Sequence, residues 1–293
     1  MIKKITNFLA WVFILVGLLL SCLVIWSVFK DGKFKIGVLD WGYAENLNKV
    51  SGILGFLFTG AGTFAIFITL SKQQEQFDKA QRQVVTQQFE TTFFNMLNQL
   101  FNIKNSIKGN VRDISFVGQE FLSAILKELK ESYENHVTQL DDIQAVIQSI
   151  SNNKGPGKSE TQMVKDDLNV LYLSFYNLYY PQLGHYFRYL YNLIKFTVDN
   201  RGIDPYLDAK KYIQLIQAQL SNDELGLIFC NSLSDKALNS EKENKIYTWI
   251  EEYSLLENID EKSLLNRSLH YLYPKTDFKF LYRDERKLKS RRL

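Results

Sequence analysis

VSGILGFLFTGAGTFAIFITL, residues 50–70, contains no Asp, Glu, Lys or Arg, and neither does FLAWVFILVGLLLSCLVIWSVF, residues 8–29. About 20 consecutive apolar residues in a helix are enough to cross the hydrocarbon core of a bilayer. In lipid the backbone must satisfy its own hydrogen bonds, so each run is expected to be helical. Two such runs within the first seventy residues predict a transmembrane hairpin, with the rest of the chain on one side of the bilayer. A cleaved leader fits less well. Lys3 and Lys4 supply a basic start, but the apolar stretch exceeds a usual leader core and no small-x-small site follows Phe29.

Charge around the two runs sets the expected orientation. Lys3, Lys4, Lys72, Lys79 and Arg82 flank them on one side, and Lys30, Lys33, Lys35 and Lys49 lie in the connecting loop. Five against four is a small bias. The large polar remainder is harder to translocate than the short loop, so both termini are expected on the cytoplasmic side. Cys22 lies within a span and Cys230 far beyond it, so no disulfide framework is implied.

Within the second run Ser51, Gly55, Thr59 and Thr63 recur every four residues, with Gly52, Gly60 and Gly62 nearby. Small residues at that spacing let helix backbones approach closely in lipid. Two partners fit this face equally: the first span, which carries Gly17 and Ser21, or a second copy of the chain. Between Thr63 and Lys108 there is neither Gly nor Pro, so the second span is expected to continue as a helical stalk. Leu70, Phe77 and Val84 repeat at seven along it, a short coiled-coil signal. Phe93, Met96, Leu97, Leu100, Ile103 and Ile107 widen the stripe where the helix enters a core.

Beyond residue 108 the pattern remains helical. Phe121, Leu122, Ile125, Leu129 and Tyr133, then Val137, Leu140, Ile143, Val146 and Ile147, follow i, i+3, i+4 spacing. Asn152 to Glu160 reads as a loop. Leu168 to Tyr180 and Leu183 to Val198 read as aromatic-rich helices split near Pro181, which lacks a backbone donor. Tyr206 to Leu220, Lys242 to Leu256 and Glu261 to Tyr271 read as further helices, and Ser221 with Glu224 as a capping box. No run of alternating β-branched residues is evident. The expected class is all-α: a transmembrane hairpin (1–71), a helical stalk (72–88), an all-helical soluble domain (89–278) and a basic tail (279–293).

Composition narrows the chemistry. The net charge is +3, and residues 72–293 carry 29 basic and 29 acidic side chains, so no basic nucleic-acid-binding surface is implied. The tail is the exception: Lys279, Arg283, Arg286, Lys287, Lys289, Arg291 and Arg292 oppose only Asp284 and Glu285. Such a tail suits anionic lipid, RNA or plain solvation. Gly155-Pro156-Gly157-Lys158-Ser159 ends like a phosphate-binding loop. Asn152 stands where that pattern needs its first glycine, and a helix rather than a strand is expected before it. His136, His185 and His270 are scattered, no Cys-x-x-Cys pair exists, and no metal or cofactor is expected. His185 and Arg188 share a helix face. With Glu224 or Asp223 they form the one candidate acid–base group, weighed against a purely structural ion pair and helix cap.

Several segments resemble one bacterial family, the putative phage abortive infection proteins. They are Phe89-Glu90-Thr91-Thr92-Phe93-Phe94-Asn95-Met96-Leu97-Asn98, Leu183-Gly184-His185-Tyr186-Phe187-Arg188-Tyr189-Leu190-Tyr191, Gln217-Ala218-Gln219-Leu220-Ser221-Asn222-Asp223-Glu224-Leu225 and Phe229-Cys230-Asn231-Ser232-Leu233-Ser234. A weaker echo lies at Ile250 to Leu256. Gln217, Asp223 and Cys230 depart from the residues common there, as does the Leu100–Phe101 region, where a histidine is common. The resemblance covers roughly residues 89–278 and implies antiphage defence by arrest of the infected host in a bacterium. With the two apolar runs and their flanking charges, the expected location is the inner membrane with the soluble domain facing the cytoplasm. Expected partners are the lipid bilayer, a second copy of the chain through the second span and stalk, and a phage or host trigger protein. An effector or sensor acting on the membrane is the leading expectation. A tethered hydrolase centred on His185, Arg188 and Glu224, or a scaffold without activity of its own, are the alternatives.

Overall fold

The computed structural model describes residues 11–12, 15–19, 22, 26, 41–151, 157–200 and 208–282. Those residues are predominantly helical, as the periodicity predicts. The chain divides into two compact units, 1–85 and 86–293.

In the first unit, residues 11–12, 15–19, 22 and 26 are helical. Helix α1 (Trp41–Ser106) contributes its early turns here. Without an internal Pro and with no Gly after Gly62, nothing in its later sequence interrupts the hydrogen-bond ladder. The stalk expected after the second apolar run is therefore helix, contained in α1. Among the described residues no helix is long and apolar enough to cross a membrane. The expected hairpin thus gains no support from them. Much of the first run, and the side chains of residues 50, 53, 54 and 57 in the second, lie outside the described residues. The described part of the second run presents Phe56, Phe58, Ile66, Phe67 and Leu70 to the exterior, followed by Phe77 and Val84.

The second unit is built around a buried apolar core. The late turns of α1 supply Phe89, Phe93, Leu100 and Ile103. Phe89 stacks on Phe196 at 5.2 Å and meets Tyr212 edge-on at 4.9 Å. A hairpin follows, with β1 (Lys108–Val111) antiparallel to β2 (Ile114–Val117). Its two-residue loop is Arg112–Asp113, with φ values of 49° and 65°. Both lie in the left-handed region that tight hairpins require and that Asn-Gly normally supplies. Arg112 bonds Glu131, which braces the turn. The fold class is all-α as expected, and this short hairpin is the one departure from an all-helical domain among the described residues. Four-residue strands closed by a glycine-free loop leave no alternation long enough to read.

Next come α2 (Gln119–Val137), α3 (Asp141–Ser151) and α4 (Lys158–Asp199). Phe121, Leu122, Ile125, Leu126, Leu129 and Tyr133 bury one face of α2. Helix α4 overturns the expected break at Pro181, because it runs unbroken through that residue. A proline removes one donor and crowds the preceding turn, at a cost of about 3 kcal/mol or more. Fifteen buried positions along α4, from Val164 to Val198, hold the two halves on one core. Each fully buried apolar side chain contributes about 1.5–3 kcal/mol, so packing outweighs the break.

Helix α5 (Ala209–Gln219) is capped by Asp208, whose side chain accepts from Lys210 N–H. Helix α6 (Asn222–Leu233) carries the expected capping box, with Ser221 and Glu224 bonding reciprocally. Residues 224–230 of α6 are all buried, so this helix is enclosed rather than amphipathic. Helix α7 (Lys245–Tyr253) follows. The expected helix over Glu261–Tyr271 is instead two 3₁₀ segments, Glu261–Ser263 and Arg267–Leu272, capped by Asp260 and Asn266.

Gly226 shows how tightly α6 is held. A Cβ placed there would lie 2.4 Å from the Ser263 carbonyl oxygen and 3.0 Å from Leu126 Cδ2. The backbone oxygen has little freedom to retreat, so Gly226→Ala should destabilise the full-length chain by about 1–3 kcal/mol, the usual cost of overpacking. Thermal unfolding should show a lowered midpoint. An unchanged midpoint would mean that the 3₁₀ segment yields freely.

Candidate functional site

Glu224 is the best-held charge in the second unit. It is 1 % exposed. Tyr186 Oη on α4 donates to its Oε1 at 2.5 Å. Its Oε2 accepts from Lys104 Nζ on α1 at 3.2 Å and from the Ser221 backbone N–H at 2.8 Å. Lys104 also donates to the Gln219 carbonyl at 3.2 Å. Ser221 Oγ accepts from Glu224 N–H and from Gln119 Nε2 of α2. Burial, with the neighbouring Glu224 adding to it, raises the Tyr186 phenol well above its ordinary value. The phenol therefore stays protonated and acts as a donor to the carboxylate.

The sequence placed His185, Arg188 and Glu224 together as candidates for acid–base work. The structure places His185 and Arg188 on an exposed face of α4, and the side-chain partners of Glu224 are Tyr186, Lys104 and the helix cap. Arg188 Nε donates to the Gly184 carbonyl of its own helix at 3.0 Å. Asp223 turns instead to Ser123 of α2. No described contact joins His185 or Arg188 to either acid. Lys104, missed by the sequence reading, lies 120 residues from Glu224, so no local pattern announces the pair.

Other candidates fall into place around this node. Lys158 and Ser159 open α4, and Glu160 Oε2 accepts from Gly157 N–H at 2.7 Å. Helix α3 precedes them, where a phosphate-binding loop needs a strand. Positions 155 and 156 lie outside the described residues. His136 Nε2 meets Asp167 at 2.7 Å, while His270 contacts the Arg267 carbonyl at 2.9 Å. Among the described residues no group of His, Cys, Asp and Glu is arranged to hold a metal. Burial pushes the Cys230 thiol up to about 12, far from the thiolate a nucleophile needs.

The second unit also contains an open cavity of about 330 Å³ between α4 and α6. Tyr176, Phe187 and Tyr191 form aromatic wall, Arg188 and Lys236 bring positive charge, and Asn192 and Asn231 bring amides. Lys236 Nζ sits 5.4 Å from the Tyr176 ring centre. Arg188 acts electrostatically on the same phenol, opposing the upward pull of burial. From its sequence the Tyr and Phe stripe between Tyr172 and Tyr191 reads as core in preference to a ligand platform. In the structure part of it is core and part faces this cavity.

Two measurements check these assignments. Lys104→Met strands a buried carboxylate and should cost about 3 kcal/mol, the scale for breaking a buried pair. The double variant with Glu224→Gln should recover part of that loss, and strictly additive losses in chemical denaturation would show that the pair is not coupled. At pH 8 iodoacetamide should leave Cys230 unmodified in the native chain and modify it after unfolding, read by peptide mass spectrometry. Fast native labelling would contradict the burial.

No curated protein and no solved structure matches the chain. The family model of the putative phage abortive infection proteins matches residues 179–264. That segment contains Tyr186, Ser221 and Glu224 of the buried node, and every residue named above for the cavity except Tyr176. The resemblance read from the sequence therefore holds over this stretch, and residues 179–264 carry the pattern of a phage abortive infection protein.

Proposed function

We propose that this protein is a membrane-anchored abortive infection effector that arrests a phage-infected host by perturbing its own membrane. The observation that carries the reading is the pairing of the family match at residues 179–264 with the uncharged run 50–70. In this reading the apolar runs 8–29 and 50–70 form a hairpin in a bacterial inner membrane, with residues 86–293 in the cytoplasm. A phage or host trigger engages the second unit, and copies of the chain associate through the second span and stalk.

Helix α1 has features suited to this. Thr59 Oγ1 donates to the Gly55 carbonyl at 2.8 Å, and Thr63 Oγ1 to the Thr59 carbonyl at 2.9 Å. The hydroxyls are satisfied by their own helix, as lipid requires. Among the described residues a Cβ at Gly52, Gly55, Gly60 or Gly62 would meet nothing within 4 Å, which suits a face that receives a partner helix. Leu70, Phe77 and Val84 are exposed at heptad spacing beyond it. Ser51, Gly55, Thr59 and Thr63 are the contact positions.

The tethered-hydrolase alternative is weakened by the placement of Glu224, whose oxygens are committed to Tyr186, Lys104 and a helix cap. A scaffold would be harmless when produced alone.

Leucine at position 55 separates these readings. Gly55→Leu fills the small-residue face while keeping the run apolar, so the chain should still sediment with membranes but lose toxicity on overproduction. His185→Ala should retain toxicity. Full toxicity of Gly55→Leu, or loss with His185→Ala at unchanged abundance, would contradict the membrane-effector reading.

A further inference from the structure

We propose that the cavity between α4 and α6 is a binding site for a nucleoside phosphate. This goes beyond the proposed function and does not rest on the membrane reading, since every group involved belongs to the second unit.

Among the described residues two cations, Arg188 and Lys236, line the cavity, and no Asp or Glu does. Among the described residues neither cation has a carboxylate within ion-pair distance. Asp235, next to Lys236 in sequence, and Glu243, whose Oε2 accepts from the cavity-lining Asn239, each have partners of their own. Asp235 Oδ2 accepts from Asn169 Nδ2 at 3.0 Å, and Glu243 pairs with Lys245 at 3.5 Å. Arg188 uses Nε on the Gly184 carbonyl, which fixes the side chain and leaves both terminal nitrogens for a ligand. A guanidinium and an ammonium close to one phenol make a site for a multiply charged oxyanion, with bidentate contact from the arginine.

The remainder of the wall suits the rest of such a ligand. Phe187 lines it with ring surface beside Tyr176, which lies under Lys236, and Tyr191, which packs on Trp249 at 5.5 Å. Leu190, Ile228 and Ile246 offer aliphatic surface. A planar base gains stacking energy on walls of this kind without needing a fixed hydrogen-bond pattern. Asn231 lines the cavity and spends its Nδ2 on Tyr172 Oη at 3.1 Å, and among the described residues its side-chain carbonyl oxygen accepts from no donor. The Asn192 amide has no described partner. These supply acceptors and donors for a sugar or base edge. At about 330 Å³ the cavity is at the small end of ligand sites, which favours a mononucleotide over a larger cofactor.

The test is titration calorimetry on the purified full-length chain in detergent, with AMP, GMP, CMP and UMP as probes and inorganic phosphate and adenosine as controls. At least one mononucleotide should bind at least tenfold more tightly than either control. Arg188→Gln and Lys236→Gln should each weaken it about tenfold or more, the scale for losing a charge-assisted hydrogen bond. Both side chains sit at the cavity rim rather than in the core, so the variants should keep the native melting midpoint. Absence of binding by all four mononucleotides would overturn the proposal. So would phosphate binding as tightly as the best mononucleotide, or affinity unchanged in the double variant.

Discussion

A buried carboxylate organises the second unit. Glu224 needs partners because an unpaired charge in a low-dielectric interior is prohibitive. It draws them from three places, Lys104 on α1, Tyr186 on α4 and the backbone at the start of α6. Gln119 of α2 then bonds Ser221, the cap residue, so four helices converge on one group. Such a node contributes little net stability, since desolvation offsets most of the attraction. Its effect is on register. Tyr186 of α4 must reach a carboxylate that is also bonded to the start of α6, which ties the positions of the two helices together. The cavity lies along the same pair of helices, with Arg188 two residues beyond Tyr186 and Asn231 seven residues beyond Glu224. The spacing of cation and amide across the cavity is therefore inherited from the node.

Much of the second unit was legible in the sequence because it is written in local periodicity. The i, i+3, i+4 pattern located α2 and α3, and Ser221 with Glu224 announced the start of α6. Features that depend on distant partners were not legible. Pro181 signals a break only when the flanking residues are free to leave the core, and here buried positions on both sides keep α4 whole. Arg112–Asp113 adopts a turn that Asn-Gly would have advertised. The role of Glu224 was half visible: its cap function is local, but Lys104 is 120 residues away. His185 and Arg188 were read together because they share a helix face, and that much is geometry. Helix periodicity does not reveal which residues oppose that face.

The family match and the functional geometry fall on the same stretch. Residues 179–264 supply Tyr186, the Ser221–Glu224 cap and nearly all of the cavity named above. The long α1 helix, whose early part carries the uncharged run, contributes Lys104 at its other end.

The most direct measurement follows membrane potential and bulk RNA integrity together in phage-infected cells producing the protein. Early depolarisation with intact RNA is the result predicted for a membrane-anchored effector. RNA decay preceding any change in potential would contradict it and return attention to chemistry at the α4 surface.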